Sequence, residues 1–143
     1  MVEVTRTFRV NKTVEMVVAY LADFGNAAVW DPSIESSTRL DSGPVNVGAT
    51  WKTVSKAMGR STELTYRLER LEPARITLVA SNKYADSTDD ITVRPIEGGS
   101  EITYATQVEL RGMAKMAEPL VQRELERLGD ETAEGITAAI TDL

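Results

Sequence analysis

Apolar and polar residues alternate along much of this 143-residue chain, and that alternation predicts most of its structure. At the N-terminus Val2, Val4, Phe8 and Val10 alternate with polar residues, which is the period of a strand with one buried face. Arg6 occupies a position on that apolar face. We therefore expect the first strand to twist or bulge at Arg6.

Two short helices are predicted after this strand. Apolar residues between Val14 and Leu21 recur at the spacing of one helical face, with Asn11 and Thr13 as alternative N-caps. A second short helix is predicted from Phe24 to Trp30. It should end near Asp31-Pro32, because a residue that precedes proline avoids the helical region.

Six further strands follow at hairpin-like spacing. Turn-forming clusters such as Asp41-Ser42-Gly43-Pro44 and Glu97-Gly98-Gly99 separate them. In the first of these strands, simple alternation assigns Ile34 and Leu40 to one face and Arg39 to the other. The alternating segments are 34–40, 47–57, 63–69, 76–80, 91–93 and 102–110. Seven strands joined in this way predict an antiparallel meander.

One long helix is predicted near the C-terminus, from about Ala114 to Ile140. Pro119 fits the first turn of a helix best, so the regular helix either begins near it or bends there. Gly135 lies on the apolar stripe, and we expect it to allow close approach between helix and sheet. The stripe consists of Ala117, Leu120, Val121, Leu125, Leu128, Thr132, Ile136 and Ala139.

These elements predict an α+β fold with a pocket. A flat seven-stranded sheet would be roughly 30 Å wide, whereas a helix is only about 10 Å across. The sheet must therefore curve around the long C-terminal helix, and the two short helices can close one end. Such curvature leaves space beside the helix. We expect one domain spanning residues 1–143, with an apolar pocket for a small hydrophobic molecule.

Several side chains on the predicted inner face suit an amphipathic ligand. Aromatic residues combine apolar area with polar tips, methionines adapt to shape, and hydroxyls can orient a ligand. The alternative is that these side chains only form the core, with Thr and Ser bonded to their own backbone. The candidate ligand-binding residues are Trp51, Thr53, Ser55, Tyr66, Leu78, Tyr104, Thr106, Met113, Met116 and Leu120.

Asp89 is the most informative polar residue. Alternation places it on the inner face, where burial would raise its pKa and allow it to act as an acid or base or to bind a ligand hydroxyl. The alternative places Asp89 at the end of its strand, in water. Tyr66 and Tyr104 are the other catalytic candidates. We expect Asp31 to cap the turn after Trp30 instead of taking part in catalysis.

Composition narrows the possible chemistry. The chain has no cysteine and no histidine, so disulfides, thiol nucleophiles, Ser-His-Asp triads and the commonest metal ligands are excluded. The net charge of −6 and the scattered basic residues argue against nucleic acid. No signal peptide or stretch of about 18 apolar residues is visible. We expect a cytoplasmic protein without metal or cofactor, and an exposed edge strand offers a route to a homodimer.

Five stretches, in order along nearly the whole chain, carry a family resemblance. They are Phe24 to Pro32, Val47 to Trp51, Glu69 to Pro73, Ser87 to Val93 and Gly98 to Tyr104. With these stretches the chain resembles the START-like superfamily, and within it the polyketide cyclase/dehydrase and lipid-transport (SRPBCC) proteins. The resemblance implies the helix-grip fold and a cavity for hydrophobic molecules between the sheet and the C-terminal helix.

The resemblance leaves the function open among binders, carriers, cyclases and chaperone-like members. Cyclases of this kind bring Arg, Ser, His or Asp into the cavity, but this chain lacks His, and Arg39, Arg67 and Arg94 fall on the predicted outer face. We therefore expect binding or carrying of a small hydrophobic molecule such as a lipid or polyketide. A cyclase/dehydratase acting in the same cavity is the alternative, and a protein-interaction module is the third hypothesis.

Overall fold

The structure is a computed structural model that describes residues 1–57 and 59–143, and within these residues seven strands form one antiparallel sheet. The predicted meander is confirmed. Each strand pairs with its neighbour in the chain except that the first strand pairs with the last, so the order is β1-β7-β6-β5-β4-β3-β2. The strands are β1 (Val2–Val10), β2 (Ile34–Arg39), β3 (Thr50–Ala57), β4 (Arg60–Glu72), β5 (Arg75–Ser81), β6 (Ala85–Ile96) and β7 (Gly99–Leu110).

Two short helices follow β1, as predicted. They are α1 (Val14–Ala22) and α2 (Ala27–Trp30), with a 3₁₀ turn at Phe24–Asn26 between them. Of the two cap candidates, Thr13 is the one that caps α1, because its side chain accepts a hydrogen bond from the Met16 amide.

The long C-terminal helix, α3 (Glu118–Thr141), begins near Pro119 and not at Ala114. Residues Gly112–Ala117 form a 3₁₀ helix, and Pro119 occupies the first turn of α3, where its missing N–H is harmless. The stripe predicted from helical periodicity is fully buried only in the second half of α3, at Thr132 and Ile136.

A register shift between Ile34 and Ser36 reverses the faces of the remainder of β2. Arg39 consequently pairs with the buried Trp51 and lies on its side of the sheet, with the guanidinium carbon 5.4 Å from the centroid of the indole ring. The prediction that Arg39 faces outward is wrong, because one extra residue in a strand of period two moves every later side chain to the opposite face.

The other arginines of the sheet follow the alternation. Arg67 and Arg94 are exposed on the outer face, as predicted. At Arg6 the pairing of β1 with β7 continues without a register shift, so the expected bulge is absent from this described strand pair.

The core is centred on Phe24, which packs against three other aromatic rings. Its ring centroid lies 4.5 Å from Tyr66, 5.9 Å from Trp30 and 6.3 Å from Trp51. Trp30 in turn packs edge-on against Tyr104 at 5.9 Å. These contacts attach α2 and the preceding 3₁₀ turn to the inner face of the sheet.

Gly135 provides the close approach that its position predicted, although its neighbour is α2 and not the sheet. A Cβ atom on Gly135 would overlap the carbonyl group of Trp30. The absence of a side chain therefore allows α3 to pack directly on the α2 backbone. The predicted α+β architecture is confirmed, with α3 packed on β1 and α2.

Candidate functional site

A cavity of about 120 Å³ lies between the inner face of the sheet and the middle of α3. Its walls come from β1, β4, β6, β7 and α3, together with the turn after α2. Apolar side chains provide much of the surface, among them Phe8, Val108, Leu125 and Leu128. Residues of one strand enter the cavity at alternate positions because side chains alternate between the two faces of a sheet.

Asp89 lies in the middle of β6 and lines this cavity with only 4% of its surface exposed. Its Oδ1 atom accepts a 2.9 Å hydrogen bond from the hydroxyl of Thr106 on β7. Burial raises the pKa of Asp89 to about 6, against the opposing effect of the Thr106 and Tyr104 hydroxyls, and the charge of Asp31 raises it further. The alternative placement of Asp89 at a strand end in water is therefore wrong.

Asp31 combines the expected cap with a place in the cavity wall. Its Oδ1 atom accepts hydrogen bonds from the amide of Ser33 at 2.9 Å and from the Ser33 hydroxyl at 2.7 Å. Burial raises the pKa of Asp31, the Ser33 bonds oppose this, and Glu131 adds to the increase. The local sequence indicated the turn, but it carried no signal that this turn meets Asp89 across the cavity.

Tyr66 and Tyr104 also line the cavity, and each is 8% exposed. Burial, followed by the charges of Asp89 and Asp31, raises the pKa of both phenols above the ordinary value. The two hydroxyls therefore remain protonated at neutral pH and can donate hydrogen bonds. The structure thus brings together four of the predicted site residues: Tyr66, Asp89, Tyr104 and Thr106.

Four other candidates lie in the core outside this cavity. Trp51 and Leu78 are buried, Ser55 is half-buried opposite Ile34, and the buried Thr53 donates to the carbonyl of Leu64 at 3.2 Å. Their inner-face assignment was correct, but none of them lines the cavity. Alternation identifies the face of a sheet and does not tell where along that face a void remains.

Met113, Met116 and Leu120 lie on the surface, with exposed fractions of 85%, 81% and 53%. Their predicted place inside the pocket is wrong, because the segment before Glu118 is a separate 3₁₀ helix and the cavity lies farther along α3.

Arg6 lines the edge of the cavity, and its role there was not predicted. Its guanidinium donates to Oδ1 of Asp130 at 2.7 Å and to the carbonyl of Glu126 at 2.9 Å, so it joins β1 to α3. The signal in the sequence was a charged residue on an otherwise apolar strand face, from which we predicted a twist or bulge of β1.

Within residues 1–57 and 59–143, no group of three or more carboxylates is placed to hold a metal ion. None of the helices in these residues has the length and apolar character needed to cross a membrane.

Residues 1–133 match the model of a protein family described as polyketide cyclase / dehydrase and lipid transport. The chain belongs to this family. The resemblance inferred from the five stretches is therefore confirmed. A search of the curated proteins finds no match.

Solved structures with the same fold include an aromatase/cyclase. The Zhui aromatase/cyclase from Streptomyces sp. R1128 has a TM-score of 0.81 and 15% identity, with 96% of this chain and 92% of that chain covered. A START superfamily protein from Mycobacterium smegmatis has a TM-score of 0.81 and 14% identity, with 98% and 97% covered. At such identities the likeness shows the fold, which is the helix-grip fold predicted for this family member.

A third structure contains the fold as part of a longer chain. This is the di-domain aromatase/cyclase StfQ from the steffimycin biosynthetic pathway, with a TM-score of 0.76 and 13% identity. The alignment covers 99% of this chain and 51% of StfQ.

Proposed function

We propose that this family member binds a small hydrophobic molecule in the cavity between the sheet and α3. The observation that carries the proposal is a space whose walls combine apolar side chains with polar groups, among them Asp31, Tyr66, Asp89, Tyr104 and Thr106. Apolar walls supply affinity, and a few fixed polar groups orient a ligand. Membership of a cyclase/dehydrase and lipid-transport family supports the same function.

The cavity volume limits the ligand in this conformation. About 120 Å³ is below the roughly 300–1,000 Å³ of ordinary ligand pockets. It is close to the size of an engineered cavity of about 150 Å³ that binds benzene. A single six-membered ring is therefore the appropriate ligand size, and a longer lipid or polyketide requires α3 to move away from β1.

Such movement would break the contacts along the seam between β1 and α3. Polar contacts at the surface cross the seam. They include the Arg6–Asp130 ion pair and a 3.0 Å hydrogen bond from the side-chain amide of Gln122 to the backbone carbonyl of Glu3. Exposed pairs of this kind contribute only about 0–1 kcal/mol each. Val4 of β1 is also buried next to Gly129 of α3, so separating the two elements exposes apolar surface in addition to breaking these polar contacts.

The binding proposal is tested by filling the cavity. Leu128→Trp places a large ring in the space, so binding of single-ring compounds measured by thermal shift and calorimetry should be lost. Leu120→Trp is the matched control, because Leu120 is on the same helix but exposed to solvent. Equal binding by wild type and a folded Leu128→Trp variant would show that the cavity is not the site.

A cyclase/dehydratase activity is the second candidate, and Asp89 is the observation that favours it. A carboxyl group with a pKa of about 6 can both accept and donate a proton near neutral pH. In a folded chain of ketones, such a group could remove a proton from an activated methylene carbon, and the Tyr104 hydroxyl could donate a hydrogen bond to the developing enolate oxygen. Cavity walls would restrict the conformations of the chain.

This second candidate requires turnover as well as binding. The measurement is conversion of a poly-β-ketone thioester to a cyclised product, followed by mass spectrometry. Asp89→Asn should abolish conversion while the substrate analogue still binds, and Asp90→Asn, which changes the neighbouring outward carboxylate, should leave conversion unchanged. Binding without conversion by the wild-type protein would restrict the function to binding.

A further inference from the structure

We propose that the cavity selects small molecules that carry a protonated amine and rejects those that carry a carboxylate. This inference rests on the proposed binding function and specifies the ligand class. Asp31 and Asp89 both line the cavity, and among the described residues neither forms an ion pair with Arg, Lys or the N-terminus. The hydrogen bonds that they accept come from hydroxyl and amide groups, which carry no net charge.

Arg6 does not neutralise these two carboxylates. Among the described residues that line the cavity, Arg6 is the only cationic side chain. Its charge is balanced by Asp130 on α3, whose Oδ1 atom lies 2.7 Å from Nε of Arg6. Arg6 also donates to the backbone carbonyls of Thr5 and Glu126. The positive charge is therefore committed to the seam between β1 and α3, and the cavity interior has a negative charge without a partner.

The two carboxylates lie close enough to influence each other, since the charge on Asp31 raises the pKa of Asp89. A ligand carboxylate would add a third negative charge in a space of low polarity, where such repulsion is strong. An ammonium group would instead attract both carboxylates, and its three N–H donors could bond to carboxylate oxygen lone pairs that the Ser33 and Thr106 donors leave free.

The tyrosine side chains of the cavity favour the same ligand. Tyr66 and Tyr104 line the cavity, and a phenol oxygen can accept a hydrogen bond from an ammonium group. The apolar side chains of β7 and α3 provide a surface for a ring or short alkyl body. The chemistry that fits is an apolar body of about one ring with a primary ammonium group on a short arm.

The test compares three compounds that share one ring: benzylamine, benzyl alcohol and benzoate. Binding to the full chain is measured near neutral pH by calorimetry and by NMR chemical-shift titration. We expect benzylamine to bind roughly tenfold or more tightly than benzyl alcohol, and benzoate to bind more weakly than either, because opposite and like charges differ in a cavity of low polarity.

Two variants locate the effect. Asp31→Asn and Asp89→Asn should each lower benzylamine affinity while leaving benzyl alcohol affinity nearly unchanged, because the shape is kept and the charge removed. Asp90→Asn is the control, since that carboxylate pairs with Arg75 outside the cavity. NMR spectra of each variant verify that the fold is retained.

The possible outcomes separate the two proposals. If none of the three compounds binds, the proposed binding function for a single-ring ligand is overturned. If benzyl alcohol or benzoate binds as tightly as benzylamine, the cavity binds small molecules but the inferred preference for amines is wrong. Unequal binding that persists in both Asp→Asn variants would also overturn the assignment to Asp31 and Asp89.

Discussion

Thr106 and Asp89 face each other as cross-strand partners on β7 and β6, and the Thr106 hydroxyl donates a 2.9 Å hydrogen bond to the Asp89 carboxylate. The register of the two strands therefore decides which hydroxyl bonds to the carboxylate in the cavity. A slip of one residue would turn the side chain of the slipped strand to the outer face and break this hydrogen bond. The Asp89 carboxylate therefore lies in the cavity only when β6 and β7 pair in this register.

Thr106→Val should raise the pKa of Asp89 above about 6, because it removes a donor that stabilises the charged form. At neutral pH we expect a loss of about 1.5–3 kcal/mol in the free energy of unfolding, the usual contribution of a hydrogen bond to a charged group. Urea unfolding and NMR titration of the Asp89 carboxyl carbon provide the two measurements.

Thr103→Val is the matched control for Thr106→Val. Thr103 is on the same strand, and its hydroxyl meets that of Thr7 at 3.2 Å on the exposed face. Its replacement should leave the pKa of Asp89 unchanged. A similar shift in both variants would mean that Thr106 acts through general packing.

Asp89→Asn should change the pH dependence of stability. The folded-state pKa of about 6 is above the ordinary value of about 3.9, so the contribution of Asp89 is most favourable below about pH 4 and is lost as pH rises through about 6. The total change is about 3 kcal/mol. The variant should therefore equal wild type in acid and exceed it in stability above neutral pH, as measured by urea unfolding across this range.

Asp90→Asn should give the opposite sign. Arg75 donates two hydrogen bonds to Asp90 and lowers its pKa, so this carboxylate stabilises the fold above its unfolded-state pKa and less as pH falls. Asp90→Asn should lose stability at neutral pH and approach wild type in acid. The same sign for both variants would contradict the burial of Asp89.

Gly135→Ala should destabilise the protein even though alanine favours helix. The added methyl group would overlap the Trp30 carbonyl, and overpacking of this kind costs roughly 1–3 kcal/mol. Gly129→Ala is the control on the same helix, because a methyl group there lies 3.4 Å from the Arg6 side chain. That change should be neutral or raise stability by up to about 1 kcal/mol. Thermal unfolding of both variants provides the measurement. An equal loss of stability in the two variants would contradict a specific clash between residue 135 and the Trp30 carbonyl.

Arg6→Ala should loosen the seam between β1 and α3 with a modest loss of stability. The partly exposed Arg6–Asp130 pair contributes up to about 1 kcal/mol and the hydrogen bond to the Glu126 carbonyl about 1 kcal/mol, so we expect a loss of about 1–2 kcal/mol. Benzylamine should then enter and leave the cavity faster, which NMR line shapes can measure. Arg9→Ala removes an outward arginine from the same strand and should leave these rates unchanged. Slower exchange in Arg6→Ala would contradict the role of Arg6 at the seam.

Local periodicity was sufficient to identify the strands and helices of this protein, although it did not give all of their ends. Alternation in β1 and β7, the helical stripe of α3 and the position of Pro119 depend on residues within a few positions of each other, so a reader of the sequence can recognise them. The curvature of the sheet also followed, because one helix cannot cover seven flat strands. The inner-face assignment of Asp89, Tyr104 and Thr106 came from the same period.

Long-range pairing and packing decided the rest. One extra residue in β2 turned Arg39 inward, and no local signal marked that shift. The cavity lies between the sheet and the middle of α3, and its place is set by how these whole elements pack. Asp31 and Asp89 are far apart in sequence, and their charges lie near each other only because the turn after α2 and strand β6 line the same cavity. Such juxtaposition arises from the packing of whole elements, and a periodic pattern carries no information about it.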